Sequence, residues 1–179
     1  MMLVIGKGHL ARALHRQWPD SSLVGRPEYD FSLQSACDQL VADHPDPTVI
    51  INTLGCITND IWQNLTVNLL APVYITAKYV HLADCHIINI SSASSWWPSH
   101  PDLDIMRFSY NMAKESLSQF GRHINRITID KPSSATVSTI EPGKFQSPMS
   151  NFTGFDVDHI VSCVQLVLEK KIHHLSCVK

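Results

Sequence analysis

The sequence has 179 residues, a formal net charge of −2, and a share of 44% hydrophobic and 17% charged residues, which is ordinary for a globular protein. This length fits a single domain over residues 1–179, with a sizeable core and no room for a separate substrate domain. The slightly negative charge argues against a general nucleic-acid or membrane-surface binder, because such proteins use a broad positive surface.

Apolar periodicity predicts alternating strands and helices in the first part of the chain. The run "MLVI" and the apolar spacing in "HLARALHRQW" predict a strand, a tight turn and a helix. "SSLVGR" follows as a second strand, and "EYDFS" as a third strand or extended piece. Ser32 is then placed to cap a helix over "LQSACDQLVADH", which Pro45 ends.

The same alternation continues to the end of the sequence. The run "TVIINTLG" predicts a strand buried on both faces. A helical pattern follows over residues 59–83, with Pro72 in an early turn or at a kink. "HIINISS" predicts a further buried strand before a helix that contains "YNMAK", and "ATVSTIEPG", "DVDHIVSCVQLVLEKK" and "IHHLSCV" predict strand, helix and strand. This order predicts an α/β fold with a single, doubly wound parallel sheet of the Rossmann type.

The cysteines and histidines form no metal or disulfide pattern. Five scattered cysteines contain no CxxC pair, which favours a reduced, cytoplasmic setting. They are Cys37, Cys56, Cys85, Cys163 and Cys177. The adjacent histidines of "IHHL" would point to opposite faces of a strand, so we expect no metal site. The apolar start has no basic segment and is interrupted by Gly6, so we predict neither a signal peptide nor a membrane span.

The first predicted strand is followed by "GKGHLA", in which Gly6, Gly8 and Ala11 have the spacing GxGxxA. Gly6 permits a tight turn, Gly8 lets the backbone approach a pyrophosphate, and Ala11 allows close packing of helix on strand. The helix start at His9 and Leu10 adds amide donors and a positive dipole end for phosphates. The turn therefore predicts a dinucleotide site, with a plain glycine turn as the alternative.

The end of the second predicted strand carries a cation where an acid often binds the ribose of NAD. Arg26 stands 18 positions beyond Gly8 (26 − 8 = 18), and Lys7 lies inside the glycine turn. Two cations at this end favour NADP(H) over NAD(H), because they match a 2′-phosphate. Glu28 lies close by and keeps NAD(H) open as the less favoured cofactor. The alternative for Arg26 is a solvated loop cation.

Tyr110 and Lys114 lie four positions apart in one predicted helix, downstream of the strand end "NISS". A phenol with a pKa near 10 is a poor match to proton transfer at neutral pH. A lysine one turn away stabilises the phenolate and lowers that pKa. Ser92 at the strand end supplies a second hydrogen bond that polarises a carbonyl. We therefore predict an acid–base site; the alternatives are an exposed helix pair and, for Ser92, an ordinary turn residue.

Taken in order, these motifs resemble the short-chain dehydrogenase/reductase family over nearly the whole chain. They are GxGxxA, "INTLG", "TVNLLAP", "INISS", "YNMAK" and "IEPGKFQSPM". The resemblance implies a catalytic set of Ser92, Tyr110, Lys114 and Asn68. In such enzymes the tyrosine exchanges a proton with the substrate oxygen, which the serine holds. The lysine lowers the tyrosine pKa and binds the nicotinamide ribose, and the asparagine supports a water relay to the lysine. Alternatively, Asn68 bonds backbone at a helix irregularity.

The resemblance also implies where a cofactor binds. Asp30 and Phe31 match the segment near the adenine, the residues of "TLG" match its ribose side, and "EPGKFQS" matches the loop beside the nicotinamide. The predicted cofactor residues are Gly6, Lys7, Gly8, His9, Leu10, Arg26, Asp30, Phe31, Thr53, Leu54, Gly55, Tyr110, Lys114, Pro142, Gly143 and Phe145.

The sequence departs from the family pattern in several places. The glycine turn and the whole chain are shorter than usual, and Thr-Leu replaces Asn-Ala in the family's "NNAG". The 18 positions between Ser92 and Tyr110 (110 − 92 = 18) exceed the usual spacing. We expect the helix between the second and third strands to be missing and the loop after "PGKFQSPM" to be trimmed.

The bulky residues of two segments are candidates to wall a substrate cleft. They are Trp96, Trp97, Phe145, Met149 and Phe152. The tryptophans alternatively pack a subunit interface or a loop core.

These observations predict an NADPH-dependent oxidoreductase that reduces a small carbonyl compound, or oxidises the corresponding alcohol, by hydride transfer with Tyr110 as general acid/base. The alternatives are an inactive NADP(H)-binding sensor or scaffold and a nucleotide-sugar reductase. The resemblance further implies a homodimer or homotetramer, paired through the helices around residues 59–83 and 109–129. We expect no nucleic-acid and no membrane partner.

Overall fold

The computed structural model describes residues 1–93, 105–128, 131 and 134–177. Within these ranges six parallel strands form one sheet in the order β2-β1-β3-β4-β5-β6. The strands are β1 (Met2–Ile5), β2 (Ser22–Val24), β3 (Val49–Asn52), β4 (His86–Ile90), β5 (Thr136–Pro142) and β6 (His174–Cys177). The helices are α1 (His9–Gln17), α2 (Gln34–Asp43), α3 (Ile61–Leu65), α4 (Ala71–Tyr79), α5 (Ile105–Thr128) and α6 (Val157–Lys170). This confirms the predicted doubly wound α/β fold.

Helices cover both faces of the sheet and give it two cores. Consecutive strand residues alternate between them: Leu3 and Ile50 belong to the core under α2 and α4, whereas Val4 and Ile51 belong to the core under α1 and α6. The central strands are therefore apolar on both faces, as a covered parallel sheet requires. None of the helices in the described ranges combines the length and apolar character needed to cross a bilayer.

The sheet order changes direction around β1. Ile5 at the end of β1 pairs with Val24 of β2 on one side and with Asn52 of β3 on the other. In open α/β sheets such a switch point leaves a crevice beyond the carboxyl ends of the strands. The glycine turn follows β1 at this edge, and the segments after β3, β4 and β5 reach the same edge.

The segment "EYDFS" is not a strand, so this sequence prediction was wrong. Tyr29 and Phe31 have buried side chains whose rings stack 6.0 Å apart. These residues fill the core from a turn, and burial alone produced the alternating pattern that resembled a strand. As a result α2 lies between the second and third strands. α2 is the helix predicted over "LQSACDQLVADH", so only the expectation that no helix separates the second and third strands was wrong.

The predicted cap of α2 was also wrong. The helix is preceded by Leu33, and no side chain caps it. Ser32 instead bonds Asp30 Oδ1, with its Oγ at 2.8 Å and its backbone N at 3.1 Å. Asp30 closes a local turn and takes the hydroxyl that a cap would use.

The helix expected over residues 59–83 is interrupted. The carboxylate of Asp60 caps α3 by accepting from the backbone N–H groups of Trp62 and Gln63. A π-helical turn, Thr66–Leu70, then joins α3 to α4. Pro72 lies in the first turn of α4. The residues before Pro72 are already helical, so its missing N–H removes one helix hydrogen bond beside the π-helical turn.

Candidate active site

The glycine turn after β1 is shaped by two glycines with different roles. Gly6 has a φ of +114°, and a Cβ there would lie 2.5 Å from Thr53 Oγ1, so a side chain does not fit. Gly8 faces open space, with nothing within 4 Å of a Cβ built on it. It precedes α1, which has no side-chain cap at His9 or before it. The first amides of α1 are therefore placed to bind a phosphate.

Both predicted cations lie beside this turn and form ion pairs with acids. Lys7 Nζ lies 2.5 Å from Glu28 Oε2, and Arg26 Nη2 lies 2.9 Å from Asp30 Oδ1. The hydrogen bond from Lys7 lowers the pKa of Glu28. Hydrogen bonds from Ser32 and Arg26 lower the pKa of Asp30. The structure thus brings Lys7, Arg26 and Asp30 to one side of the turn.

Among the predicted cofactor residues, Leu10, Phe31 and Leu54 have side chains buried in the two cores. What they offer a ligand is therefore backbone. Thr53 joins the ends of two strands, since its Oγ1 donates to the carbonyl of Ile5 at 2.8 Å.

Lys114 is buried between the ends of β3 and β4, with only 2% of the residue exposed. Its Nζ donates to the carbonyl oxygens of Leu54 at 2.7 Å and Ile90 at 2.9 Å. An ammonium has three protons, so one remains for a further acceptor. Gly55 lies alongside, and a Cβ there would be 3.8 Å from Nζ. Burial lowers the pKa of Lys114 to about 7.

Tyr110 lies one helical turn before Lys114 in α5 and forms a hydrogen bond with Ser92. The serine and the tyrosine therefore meet despite the long segment between them. Burial raises the pKa of Tyr110, and the hydrogen bond with Ser92 opposes this effect. The pKa of Tyr110 is therefore shifted upwards, whereas the nearby Lys114 was predicted to lower it. The ammonium of Lys114 points at two carbonyls and has a lowered pKa itself, so the loss of solvent dominates at the phenol.

Asn68 lies fully buried in the π-helical turn and bonds mainly backbone groups, with one further contact from its Nδ2 to Cys56 Sγ at 3.8 Å. Its Nδ2 donates to the carbonyls of Cys56 at 2.8 Å and Asn64 at 2.7 Å, and its Oδ1 accepts from the N–H of Cys56 at 3.0 Å. These contacts match the alternative left open by the sequence, in which Asn68 bonds backbone at a helix irregularity. By holding both backbone groups of Cys56, Asn68 keeps the preceding Gly55 beside Lys114. A water relay from Asn68 to Lys114 stays a prediction.

The sequence argument missed several polar residues around this pocket. Ser91 Oγ donates to the carbonyl of Lys114 at 2.6 Å and accepts from Ser118 Oγ at 2.7 Å. Asn64 Nδ2 donates to Ser109 Oγ at 2.9 Å and ties α3 to α5. The available signal was the spacing of four between Lys114 and Ser118, which puts both on one face of a helix.

The segment after β5 forms a closed loop, residues 144–155. Its two ends are joined by backbone bonds from Phe155 N to Lys144 O at 2.9 Å and from Gln146 N to Phe155 O at 2.7 Å. Inside the loop, the ring of Phe152 meets His9 edge-on, with 6.2 Å between ring centroids. The closed loop therefore reaches the start of α1 at the glycine turn.

The residues predicted to wall a substrate cleft lie in different environments. Phe145 packs against the core under α1 and α6, whereas Met149 and Phe152 are exposed on the closed loop. Trp96 and Trp97 lie outside the described residues. Pro142 is buried at the end of β5, and the N–H of Gly143 donates to the carbonyl of Cys177 at 2.7 Å.

Comparison with known proteins gives matches in fold alone. No protein-family model and no curated protein sequence matches the chain. A short-chain dehydrogenase from Sphingobium yanoikuyae in complex with NADPH superposes with a TM-score of 0.79 at 14% identity, covering 98% of this chain and 86% of that one. A short chain dehydrogenase from Burkholderia cenocepacia in complex with NADP gives 0.78 at 15% identity, covering 99% and 88%. The chain has the short-chain dehydrogenase/reductase fold.

A third solved structure with a similar fold carries the other cofactor. It is the 3-alpha-hydroxysteroid dehydrogenase from Pseudomonas sp. B-0831 complexed with NADH, with a TM-score of 0.79 at 11% identity and coverage of 99% of this chain and 94% of that one. The fold therefore accommodates either dinucleotide. A choice between them must come from the residues around the glycine turn.

Within this short-chain dehydrogenase/reductase fold, the predicted site residues fall into two groups. One group surrounds the glycine turn and includes the exposed ion pairs of Lys7 and Arg26. The other lies between β3, β4 and α5 and contains Lys114, Tyr110 and Ser92. Both groups lie at the carboxyl edge of the sheet, as a single extended ligand requires.

Proposed function

We propose that the chain is an NADPH-dependent oxidoreductase of the short-chain dehydrogenase/reductase family that reduces a carbonyl of a small molecule or oxidises the corresponding alcohol. The observation that carries this proposal is the hydrogen bond between Ser92 and Tyr110, one turn from the buried ammonium of Lys114. The neighbours in complex with NADPH or NADP support this choice of cofactor.

The residues present fit a dinucleotide. Gly8 leaves open space at the start of α1, where helix amides suit a pyrophosphate. Lys114 keeps a proton for a ribose hydroxyl after its two carbonyl bonds. When bound, the nicotinamide supplies the hydride for reduction or accepts it for oxidation.

Tyr110 is the proposed proton donor to the substrate oxygen, and Ser92 holds that oxygen beside it. The raised pKa of Tyr110 keeps the phenol protonated at neutral pH. This state suits reduction, in which an alkoxide must receive a proton, and opposes alcohol oxidation, in which the phenol must first lose one.

We also propose a homo-oligomer, a dimer or tetramer, paired through α3 and α5. Both helices expose large apolar side chains: Trp62 is 76% exposed, and Phe108 and Met112 are exposed on α5. Contiguous exposed apolar patches mark surfaces that bind another protein, and we propose that these side chains form such a patch. The free cysteines among the described residues support a reduced, cytoplasmic setting.

The test follows NADPH absorbance with a panel of aliphatic and aromatic aldehydes, ketones and nucleotide-linked keto sugars. Tyr110→Phe removes the proton donor and keeps the ring, so turnover is expected to fall about 10²- to 10⁴-fold while NADPH still binds. Tyr74→Phe is the matched control, because the hydroxyl of Tyr74 bonds Asp38 on α2, away from Lys114.

Binding of NADPH without turnover of any panel member would overturn the reductase. That outcome would support a second candidate, an NADP(H)-binding sensor that keeps the fold and lacks turnover. Turnover restricted to the nucleotide-linked sugars would assign the substrate to that class.

A further inference from the structure

The two ion pairs beside the glycine turn differ in how firmly the acid is held. Asp30 Oδ1 accepts from Arg26 at 2.9 Å, from the N–H of Ser32 at 3.1 Å and from its hydroxyl at 2.8 Å. The carboxylate of Glu28 has one side-chain donor, Lys7, and the Glu28 side chain is 54% exposed. Asp30 is thus part of a turn, whereas Glu28 can exchange its partner for solvent.

The ammonium of Lys7 is held at the end of β2. A Cβ at Gly25 would lie 3.1 Å from Lys7 Cγ, so the lysine stem packs on the backbone that follows β2. Gly6, the preceding residue, donates its N–H to the carbonyl of Val24 at 2.8 Å. The end of the second strand is where a dinucleotide fold places the ribose 2′ position. Glu28 is therefore paired with the lysine that a 2′-phosphate would approach.

We propose that Glu28 competes with the 2′-phosphate for Lys7 and so sets the discrimination between NADP(H) and NAD(H). This inference rests on the proposed function. A phosphate monoester carries a charge of about −1.5 to −2 and three acceptor oxygens, more than a carboxylate offers. It displaces Glu28 from Lys7, while Arg26, held by Asp30, contributes a second cation. NAD(H) has only a hydroxyl there, so Glu28 remains on Lys7.

The exposure of both partners determines the size of the effect. Lys7 and Glu28 have side chains that are 30% and 54% exposed. Ion pairs this accessible contribute little free energy, so a ligand can replace one partner at small cost. Glu28 is therefore expected to weaken NADPH binding severalfold without preventing it.

The experiment measures the Kd of NADPH and of NADH by titration for the wild type, Glu28→Gln and a control. Glu28→Gln is expected to tighten NADPH binding about two- to fivefold and to leave NADH binding unchanged. Asp38→Asn is the control, because it removes one negative charge from an exposed pair with Lys78 on α4. It is expected to change neither Kd. Thermal unfolding of each variant verifies that it is folded.

A double-mutant cycle with Lys7→Met identifies the group for which Glu28 competes. NADPH binding weakens in Lys7→Met, and the gain from Glu28→Gln disappears in that background, because the contested cation is gone. Three outcomes would overturn this inference and leave the proposed function standing. Glu28→Gln could tighten the binding of NADPH and NADH equally, its effect on NADPH could persist in the Lys7→Met background, or Asp38→Asn could tighten NADPH binding by the same factor. Failure of the wild type to bind either dinucleotide would overturn the proposed function, and this inference with it.

Discussion

Two lysines of the site, Lys7 and Lys114, lie in opposite environments. Lys7 is partly exposed and pairs with an acid that is more exposed still. Lys114 is 2% exposed and bonds two backbone carbonyls at the ends of neighbouring strands. The same ammonium group is therefore an exchangeable cation in one region and a fixed donor with a lowered pKa in the other.

The difference shows how one sheet edge serves two tasks. A group that must distinguish ligands benefits from partners that can be exchanged at small cost in free energy. A group that positions reacting atoms must be held by many contacts, which here come from β3, β4 and α5. Substitutions in the buried region should consequently change turnover and folding, and those at the exposed turn should change cofactor affinity only.

The largest effect is expected from truncating the buried lysine. Lys114→Met removes the donor proposed to hold the ribose and the only ammonium beside Tyr110 among the described residues, so kcat should fall about 10²-fold or more. Steady-state kinetics with the best substrate of the panel measure it. The matched change in the exposed region, Lys7→Met, should raise the Kd for NADPH and leave kcat unchanged. Equal losses of kcat in both variants would show that the two regions do not differ as described.

A smaller effect is expected from altering how closely α5 approaches the sheet. A Cβ at Gly121 would lie 2.0 Å from Thr139 Oγ1 and 3.2 Å from its Cβ. Gly121→Ala should therefore lower the free energy of unfolding by about 1–3 kcal/mol through overpacking. Urea denaturation measures this loss.

The partner of that contact provides the control. Thr139 Oγ1 is buried without a hydrogen-bond partner in the structure, so Thr139→Ala alone should change stability little. Combined with Gly121→Ala, it should restore most of the lost stability, because it removes the nearest clashing atom. A double variant as unstable as Gly121→Ala alone would contradict this account of the packing.

The smallest effect is a pH dependence of stability that comes from Lys114. Burial lowers the pKa of Lys114 from 10.5 to about 7 in the folded state. The unfolded state then binds more protons between these values, so the stability of the folded state rises with pH above 7. Between pH 7 and 8 this contribution should be about 1 kcal/mol per pH unit.

The measurement compares unfolding free energies of the wild type and Lys114→Met over this narrow range. Burial raises the pKa of the Cys37 thiol to about 11 and that of the Cys85 thiol to about 12. These thiols lower the stability of the folded state mainly at higher pH, where the unfolded chain loses their protons first. The wild type should show a steeper rise with pH than the variant. Parallel curves would mean that Lys114 keeps an ordinary pKa in the folded protein.

Local rules made much of the fold predictable from the sequence. Gly6 and Gly8 follow an apolar strand with β-branched residues, and their spacing fits a tight turn into a helix. The strands around Ile51 and Ile88 are continuous apolar runs. Such signals depend on neighbouring residues alone. The meeting of Ser92 and Tyr110 was predicted from the resemblance of the motifs, since 18 positions separate them (110 − 92 = 18).

The errors arose where tertiary contacts decide between local options. Tyr29 and Phe31 alternate like strand residues but are buried from a turn. Ser32 is a good cap by type, yet Asp30 binds its hydroxyl first. The pKa shift of Tyr110 depends on burial and on the carbonyls that engage Lys114, and sequence spacing contains neither.

The closed loop, residues 144–155, has a consequence for how such a protein diversifies. Its ends are tied together by backbone bonds between Lys144, Gln146 and Phe155, so the span between them can lengthen or shorten while the sheet and α6 keep their places. Lengthening a loop whose ends are already fixed adds little to its entropy of closure. Different sequences can therefore be grafted between those anchors while the rest of the molecule keeps its structure.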